Sequence, residues 1–210
     1  MRIVSKKYAT YKDEQLMVEV VKGDEHAFSQ IYDRWSKPMV NYFFKMLWQD
    51  SEKAQDMMQD LFVKIINKPH QYDPKRSFKT WIYTVAYNMC KNEYRKHETR
   101  KVMSNNLDEN IGVKDNSYNY DMKTDSGIFN DRLKEELELM SDNHRKVFIM
   151  RIKHDLSIKE IASIMETSEG TIKSRIFYAL KKLSENLKEF NPSNISPLII
   201  LLLNQFLKEL

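Results

Sequence analysis

The sequence is poor in the residues that form tight turns and covalent cross-links. Its 210 residues include four glycines, five prolines and a single cysteine, Cys90. Because strands joined by tight turns usually need more glycine and proline, the shortage favours helices joined by few loops. One cysteine excludes an intrachain disulfide, which fits a reducing cytoplasm, and we expect Cys90 to be a small packed side chain.

Long apolar runs and clusters of chemically active residues are also scarce. The longest fully apolar run, residues 198–203, is too short to cross a bilayer, which needs about 20 residues, and the N-terminus has no signal-peptide pattern. The five histidines lack metal-like spacing, and there is neither a phosphate-binding glycine loop nor a nucleophile motif. We therefore expect a cytoplasmic protein that is not an enzyme, with no cofactor, metal or small-molecule substrate and no membrane insertion.

Helical periodicity dominates what is present. Charged residues make up 30% and apolar residues 41%, as in soluble globular proteins, and the net charge of +4 is a weak indication of a polyanionic partner. Apolar residues recur at helical spacing through residues 13–97 and again from about Asp131, with a polar stretch rich in Asn, Asp and Ser between them. We predict an all-α protein with two small helical domains, 1–97 and 131–190, a flexible polar linker at 98–130 and an apolar tail at 191–210.

Local signals place several helix ends in the first domain. Asp24 is a possible N-cap, Pro38 fits a kink or a restart, and Asp50 with Ser51 opens a helix. The apolar stripe of that last helix is Met57, Met58, Leu61, Phe62, Ile65 and Ile66. Its polar side carries Asp56, Gln59, Asp60 and Lys64. The stretch KPHQYDPKRS, with two prolines, is a loop, and the aromatic helix after it grows basic toward its end.

The stretch SIKEIASIMETSEGTIKSRIFYALKKL, residues 157–183, predicts a helix-turn-helix. Ser157 and Glu160 form a capping box for the first of its helices, Ser168 can cap the second, and Gly170 would permit close approach of the two backbones. The predicted buried face of the first helix is Ile158, Ile161, Ala162 and Met165.

The second helix of this motif has an apolar side and a polar, basic side. The apolar side is Ile172, Ile176, Ala179, Leu180 and Leu183. Pointing away are Thr171, Ser174, Phe177, Tyr178 and Lys181, with Lys173, Arg175 and Lys182 at the margins. A helix with cations and no anion can bind phosphates and base edges in the major groove of DNA. An ordinary helical hairpin with a solvated basic face explains the spacing and charge equally well.

Two blocks of the sequence resemble a known family in the family's own order. The segments HRKVFIMRI and EGTIKSR, within residues 131–190, resemble the C-terminal domain of extracytoplasmic-function (ECF) sigma factors of bacterial RNA polymerase. The segments QDLFVKI and FKTWIYTVAYN, within residues 24–97, resemble the N-terminal domain of the same family. The resemblance implies that the first domain binds core polymerase and helps to open the downstream promoter element, and that the second reads the upstream element as duplex.

Carried over residue by residue, the resemblance implies three groups of contacts. Gln59 and Asp60 match the family's core-binding position, and the implied core-binding set is Asp56, Gln59, Asp60 and Lys64. Tyr72 matches an aromatic that receives a flipped-out promoter base, and Asn88 matches the Asn of the family's A-x-N motif. The residues implied to contact the single strand are Tyr72, Lys75, Arg76, Lys79, Asn88, Lys91 and Arg95. The implied upstream set is Thr171, Lys173, Ser174, Arg175, Phe177, Tyr178 and Lys181. Phe78 and Trp81 are expected in the core, whereas Tyr83 and Tyr87 stay open.

Some positions depart from the family pattern. Asn92 stands where the family often has Asp, Tyr87 where a basic residue is common, and Met140-Ser141 replaces a frequent Leu-Pro. The tail 191–210 lies outside both blocks, and its apolar residues surround a helix on nearly all sides. We favour packing of the tail on this protein's own C-terminal domain over docking to an anti-sigma factor, and membrane binding is least favoured.

The leading hypothesis is an ECF sigma factor that binds RNA polymerase core and promoter DNA and is held by an anti-sigma factor. The alternative is a stand-alone helix-turn-helix regulator that binds DNA as a dimer without polymerase. A purely helical interaction protein explains neither the basic helix nor the aromatic-basic loop.

Overall fold

The computed structural model describes residues 8–47, 49–104 and 125–187. Eight α-helices lie within these ranges: α1 (Asp13–Val21), α2 (Glu25–Met46), α3 (Ser51–Asn67), α4 (Phe78–Ser104), α5 (Asp125–Glu138), α6 (Asp142–Phe148), α7 (Ile158–Ile164) and α8 (Glu169–Asn186). A 3₁₀ turn (Pro69–Gln71) precedes α4, and a π-helical turn (Ile149–Lys153) follows α6. The described ranges contain no strand, which confirms the all-α fold class.

Backbone contacts group these helices into two compact units. One unit holds α1 to α4 together with residues 159–167, and the other holds α5, α6 and α8. The predicted domain limits at residues 97 and 131 stay predictions. The apolar tail 191–210 lies outside the described residues.

Two helices of the first unit start where the sequence predicted, and each has a side-chain cap. Asp24 accepts a hydrogen bond from the backbone N–H of Ala27 at 2.9 Å, and Asp50 accepts one from Lys53 at the same distance. Of the two alternatives predicted at Pro38, a kink or a restart, the restart is wrong, because a single 22-residue helix, α2, runs through this residue. Proline removes one backbone donor, but packing of the turns on either side continues the helix.

The core of the first unit forms where α2 packs against α1 and α3. Tyr42, Phe43 and Phe78 are among its fully buried side chains, and Cys90 is buried as predicted. The predicted stripe of α3 is buried except for Ile66, which is 50% exposed. The predicted burial of Ile66 is wrong, because the position of Ile66 on α3 lies beyond the edge of the helix surface that contacts the core.

Helix α4 is longer than the sequence pattern indicated. It reaches Ser104, seven residues past the predicted domain end at residue 97, and α5 begins at Asp125 rather than near Asp131. The prediction followed the loss of apolar periodicity, whereas residues such as those in ETRKVMS still favour helix locally. The remaining predicted linker, residues 105–124, lies outside the described residues.

In the second unit, α8 packs against α6 and α5. The predicted apolar side of α8 is buried in full: Ile172, Ile176, Ala179, Leu180 and Leu183. Glu136 of α5 is 2% exposed; it forms an ion pair with Arg132 at 3.2 Å and accepts a hydrogen bond from Asn186 of α8. This carboxylate therefore joins the two helices through paired polar groups.

At the turn between α7 and α8, the prediction for Ser168 is confirmed and the prediction for Gly170 is wrong. Ser168 accepts a hydrogen bond from the backbone N–H of Thr171 at 3.0 Å, as predicted. A Cβ added at Gly170 would meet only the Ser168 Oγ, at 3.8 Å, so the predicted close backbone approach at Gly170 is wrong. On α7, Ile164 is buried and Met165 only half-buried, because the chain leaves the helix there.

Replacing Gly170 with alanine is expected to stabilise the protein. Gly170 lies in the first turn of α8, where an added Cβ would make only an ordinary van der Waals contact. Gly170→Ala should therefore raise the free energy of unfolding by about 0.5–1 kcal/mol, because alanine lowers the conformational entropy of the unfolded chain. Gly23→Ala is the control, because Gly23 has a φ of +88° and alanine there is strained. Urea unfolding would contradict the prediction if both variants changed stability in the same direction.

A nearly buried carboxylate links α3 to α4. Glu93 is 8% exposed, and its carboxylate lies 2.9 Å from the Lys53 Nζ and 3.7 Å from the Lys96 Nζ. Burial raises the pKa of Glu93, but the hydrogen bond and charge of Lys53, with Lys96 and Arg100, more than offset this and lower the pKa below 4.5. The pair therefore stabilises the fold above pH 4.5, and this stabilisation is lost as the pH falls through the folded-state pKa.

Lys53→Met is expected to lower the free energy of unfolding at neutral pH by about 2 kcal/mol, because the Glu93 carboxylate loses its nearest donor. The difference from the wild type should shrink below pH 4.5, where Glu93 becomes protonated. Lys22→Met is the matched control, since Lys22 is 63% exposed in its pair with Glu19 and should change stability by less than about 0.5 kcal/mol. Equal effects of both variants in urea titrations at the two pH values would contradict a special role for Lys53.

Candidate nucleic-acid and polymerase interfaces

The outer face of α3 combines polar and apolar side chains. All four predicted core-binding residues are exposed: Asp56, Gln59, Asp60 and Lys64. The helical spacing of Asp56, Gln59, Asp60 and Val63 places these residues on one face. Val63 is 53% and Ile66 50% exposed, so two large apolar side chains border the polar group. We call the six residues, Asp56, Gln59, Asp60, Val63, Lys64 and Ile66, the α3 face.

The loop before α4 is held by Tyr72. The Tyr72 hydroxyl donates to the backbone carbonyl of Arg76 at 2.5 Å, and Asp73 Oδ1 accepts from the Lys75 N–H at 3.0 Å. Lys75 and Arg76 are exposed, and the Arg76 guanidinium lies 3.7 Å from Asp73. The two bonds fold the loop back on itself and leave its cations on the surface.

The ring of Tyr72 belongs to an aromatic cluster. It lies 5.5 Å from the ring of Phe78 and 5.2 Å from that of Trp81, and it is only 3% exposed. Burial raises the pKa of Tyr72 to about 12, with a further contribution from the carboxylates of Glu14, Asp73 and Asp13. The hydroxyl therefore stays protonated and can donate to Arg76. Reception of a base by Tyr72 stays a prediction, and it requires the ring to leave this cluster.

Helix α4 carries further polar and basic side chains of the predicted single-strand set. Asn88, Lys91 and Arg95 are exposed at spacings that place them on one face, and Lys79 is half-buried in the first turn. We call Lys75, Arg76, Lys79, Asn88, Lys91 and Arg95 the α4 surface. Of the tyrosines that the sequence left open, Tyr83 is 2% exposed and Tyr87 half-buried. Burial raises the pKa of Tyr83, so this side chain lies in the core as a neutral phenol.

The outer side of α8 presents aromatic, polar and cationic groups together. Ser174, Phe177, Tyr178 and Lys181 are exposed, while Thr171, Lys173 and Arg175 are half-buried at the margins. We call these seven residues the α8 face. Phe177 is 43% and Tyr178 56% exposed, and their rings meet edge to face at 5.6 Å. Two large exposed aromatics beside cations suit a surface that contacts bases and phosphates.

An open cleft of about 390 Å³ adjoins the α8 face. It lies between the start of α6 and α8, with His144 and Tyr178 on its sides and their rings 6.2 Å apart. Ser141, the N-cap residue of α6, forms a hydrogen bond with the Nδ1 of His144 at 2.7 Å, and its side chain makes no capping bond to the backbone of α6. His144 was not predicted from the sequence, where its only signal is the i, i+3 spacing from Ser141.

Other kinds of site are not apparent in the described parts of the chain. No group of three or more His, Cys, Asp or Glu residues there is placed to hold a metal ion. No helix within the same ranges is long and apolar enough to cross a membrane.

Comparisons with known proteins agree with the two-block resemblance. Residues 31–100 match the family model of Sigma-70 region 2, and residues 130–183 match that of Sigma-70, region 4. Together the two matches cover more than half of the chain. The α3 face and the α4 surface lie within the first match, and the α8 face lies within the second.

Relatives cover most of the chain. The RNA polymerase sigma factor YlaC of Bacillus subtilis (strain 168) is 27% identical over 77% of this chain and 92% of its own. The ECF RNA polymerase sigma-E factor of Escherichia coli (strain K12) is 28% identical over 84% of this chain and 94% of its own.

Two solved structures share the fold. CnrH, in complex with the cytosolic domain of CnrY, has a TM-score of 0.63 at 20% identity, covering 85% of this chain and 99% of its own. The sigma factor RpoE, in complex with the anti-sigma factor NepR from Bartonella quintana, has a TM-score of 0.60 at 23% identity, covering 77% and 96%. With regions 2 and 4 both matched in order, the chain belongs to the ECF group of RNA polymerase sigma factors and acts in promoter-specific transcription initiation.

Proposed function

We propose that this sigma factor divides its work among the three surfaces described above. The α3 face binds core polymerase, the α4 surface holds the opened downstream promoter strand, and the α8 face reads the upstream promoter element. The observation that carries the proposal is the exposure of all the predicted residues of the α3 face, next to two exposed apolar side chains.

The chemistry of the α3 face suits a protein partner. Asp56 and Asp60 can pair with basic groups, and Gln59 can both donate and accept hydrogen bonds. Burial of Val63 and Ile66 against a partner is energetically favourable. Exposed apolar side chains rimmed by polar ones are typical of an interaction site. An exposed carboxylate is a poor ligand for DNA, so this face suits polymerase better than promoter.

The chemistry of the other two surfaces suits DNA. Lys75, Arg76, Lys91 and Arg95 supply countercharge for the phosphates of a single strand, and Asn88 can hydrogen-bond a base or phosphate. On α8, Ser174 can bond base edges, and Phe177 can contact a thymine methyl group. Arg175, half-buried at the margin, suits a phosphate contact rather than a base contact.

We also propose that the protein acts in the cytoplasm, performs no catalysis itself and is held inactive by an anti-sigma factor. RpoE of Bartonella quintana, which shares the fold, was solved with the anti-sigma factor NepR, and this supports a protein inhibitor for the present chain. The stand-alone dimeric regulator is not favoured, because both sigma regions are matched in order.

Asp60→Lys is expected to lower the affinity for bacterial core polymerase by roughly tenfold or more, because it places a cation where the proposed partner presents cations. The measurement is binding of the labelled protein to core, followed by transcription from the DNA upstream of its own gene. Glu25→Lys, an exposed charge reversal on α2, is the control and should bind core normally. Normal core binding by Asp60→Lys would remove the α3 face from the proposal.

The α8 assignment predicts different effects for two substitutions. Tyr178→Ala should reduce discrimination between promoter and unrelated duplex by about 1–2 kcal/mol, whereas Arg175→Gln should weaken both about equally and reduce the salt dependence by about one phosphate contact. Fluorescence anisotropy over a salt series measures both quantities. If Arg175→Gln lost discrimination between promoter and unrelated duplex and Tyr178→Ala did not, the roles assigned to the two residues would be reversed.

A further inference from the structure

The start of α4 is capped by a residue from a distant helix. The Glu14 Oε1 of α1 accepts a hydrogen bond from the backbone N–H of Phe78 at 3.0 Å, across 64 residues of sequence. Phe78 is the first residue of α4, where backbone N–H groups have no partner within the helix. The nearby cap within the loop is weaker, since Ser77 Oγ lies 3.3 Å from the N–H of Thr80. Glu14 is therefore the closer cap at this helix start.

Helix α1 is itself fixed by a compact polar network. Asp13 accepts from Arg34 Nη1 at 2.7 Å and from Trp35 Nε1 at 2.9 Å, so one carboxylate holds two neighbouring side chains of α2. Arg34 also donates to the backbone carbonyl of Tyr11 at 2.8 Å. Because Leu16 is fully buried as well, α1 cannot shift without breaking both the polar network and the core. Glu14 is thus presented from a rigid support.

Glu14 fixes one end of the loop that carries the exposed cations. At the other end, Tyr72 is held by its ring packing against Phe78 and by its bond to Arg76. Lys75 and Arg76 lie between these two anchors. Loss of the Glu14 bond frees the first turn of α4, and the loop then samples more conformations, of which fewer bind a strand.

We infer that Glu14 is a positioning residue for the α4 surface, acting through the N–H of Phe78 and the loop that precedes it. Glu14 need not touch a promoter base, because it acts by keeping Lys75, Arg76 and Lys79 in one arrangement. The inference rests on the proposed role of the α4 surface in holding the opened strand. It assigns a function to α1, which precedes the residues matched to Sigma-70 region 2.

The test uses the full-length protein assembled with bacterial core polymerase. The probe is a fluorescent single strand with the non-template sequence of the promoter upstream of its own gene. Glu14→Ala should weaken binding of this strand by about fivefold, the equivalent of one lost helix cap, without changing affinity for core or for upstream duplex. Glu14→Gln keeps an acceptor oxygen and should restore most of the affinity. Glu19→Ala is the matched control on α1, because Glu19 pairs with exposed Lys22.

The outcomes separate the inference from the function on which it rests. If Glu14→Ala lowers the unfolding midpoint but binds the strand like the wild type, Glu14 is merely structural and the inference is wrong. If Glu14→Ala does not fold, Glu14→Asp takes its place, since the shorter side chain cannot reach Phe78 and should also weaken strand binding. If the wild-type assembly itself does not bind the strand, the role of the α4 surface is wrong, and the inference falls with it.

Discussion

The packing around Phe78 is the constraint on which the first unit depends. Its ring is fully buried and lies 5.6 Å from Trp35 of α2, 5.5 Å from Tyr72 of the loop and 5.7 Å from Trp81 of α4. Its backbone N–H meets Glu14 of α1. A single residue thus joins three helices and the loop, so the ring packing and the hydrogen bond fix the loop and its cations together.

The role proposed for each helix rests on the side that packing leaves exposed. Helix α3 buries Met57, Leu61 and Ile65, so its polar residues and Val63 face outward as one surface. Helix α8 buries one apolar side completely, and its aromatic pair is left outside at an energetic disadvantage in water. Exposed apolar groups of this kind are retained where a partner covers them, which agrees with a protein that works only in a larger assembly.

Two buried carboxylates, Glu93 and Glu136, are matched to partners. Glu93 is held by Lys53 and Lys96, and Glu136 by Arg132 and Asn186. Each link joins two helices, because a buried carboxylate needs donors from whatever lies beside it. These links also give direction to contacts that apolar packing alone would leave loosely specified.

The sequence by itself determined the helical class, the caps at Asp24 and Ser168, the helix start at Asp50 and the buried side of α8. Caps and 3.6-residue periodicity are local properties of the chain. Through the family resemblance it also gave Asp56, Gln59, Asp60 and Lys64 of the α3 face, and the seven residues of the α8 face, as predicted contact residues. Tertiary structure alone decided that Tyr72 is buried, that Ile66 is exposed, that Gly170 has room and that Glu14 caps α4. Each of these depends on which distant segment lies beside the residue, and no local pattern encodes a contact across 64 residues.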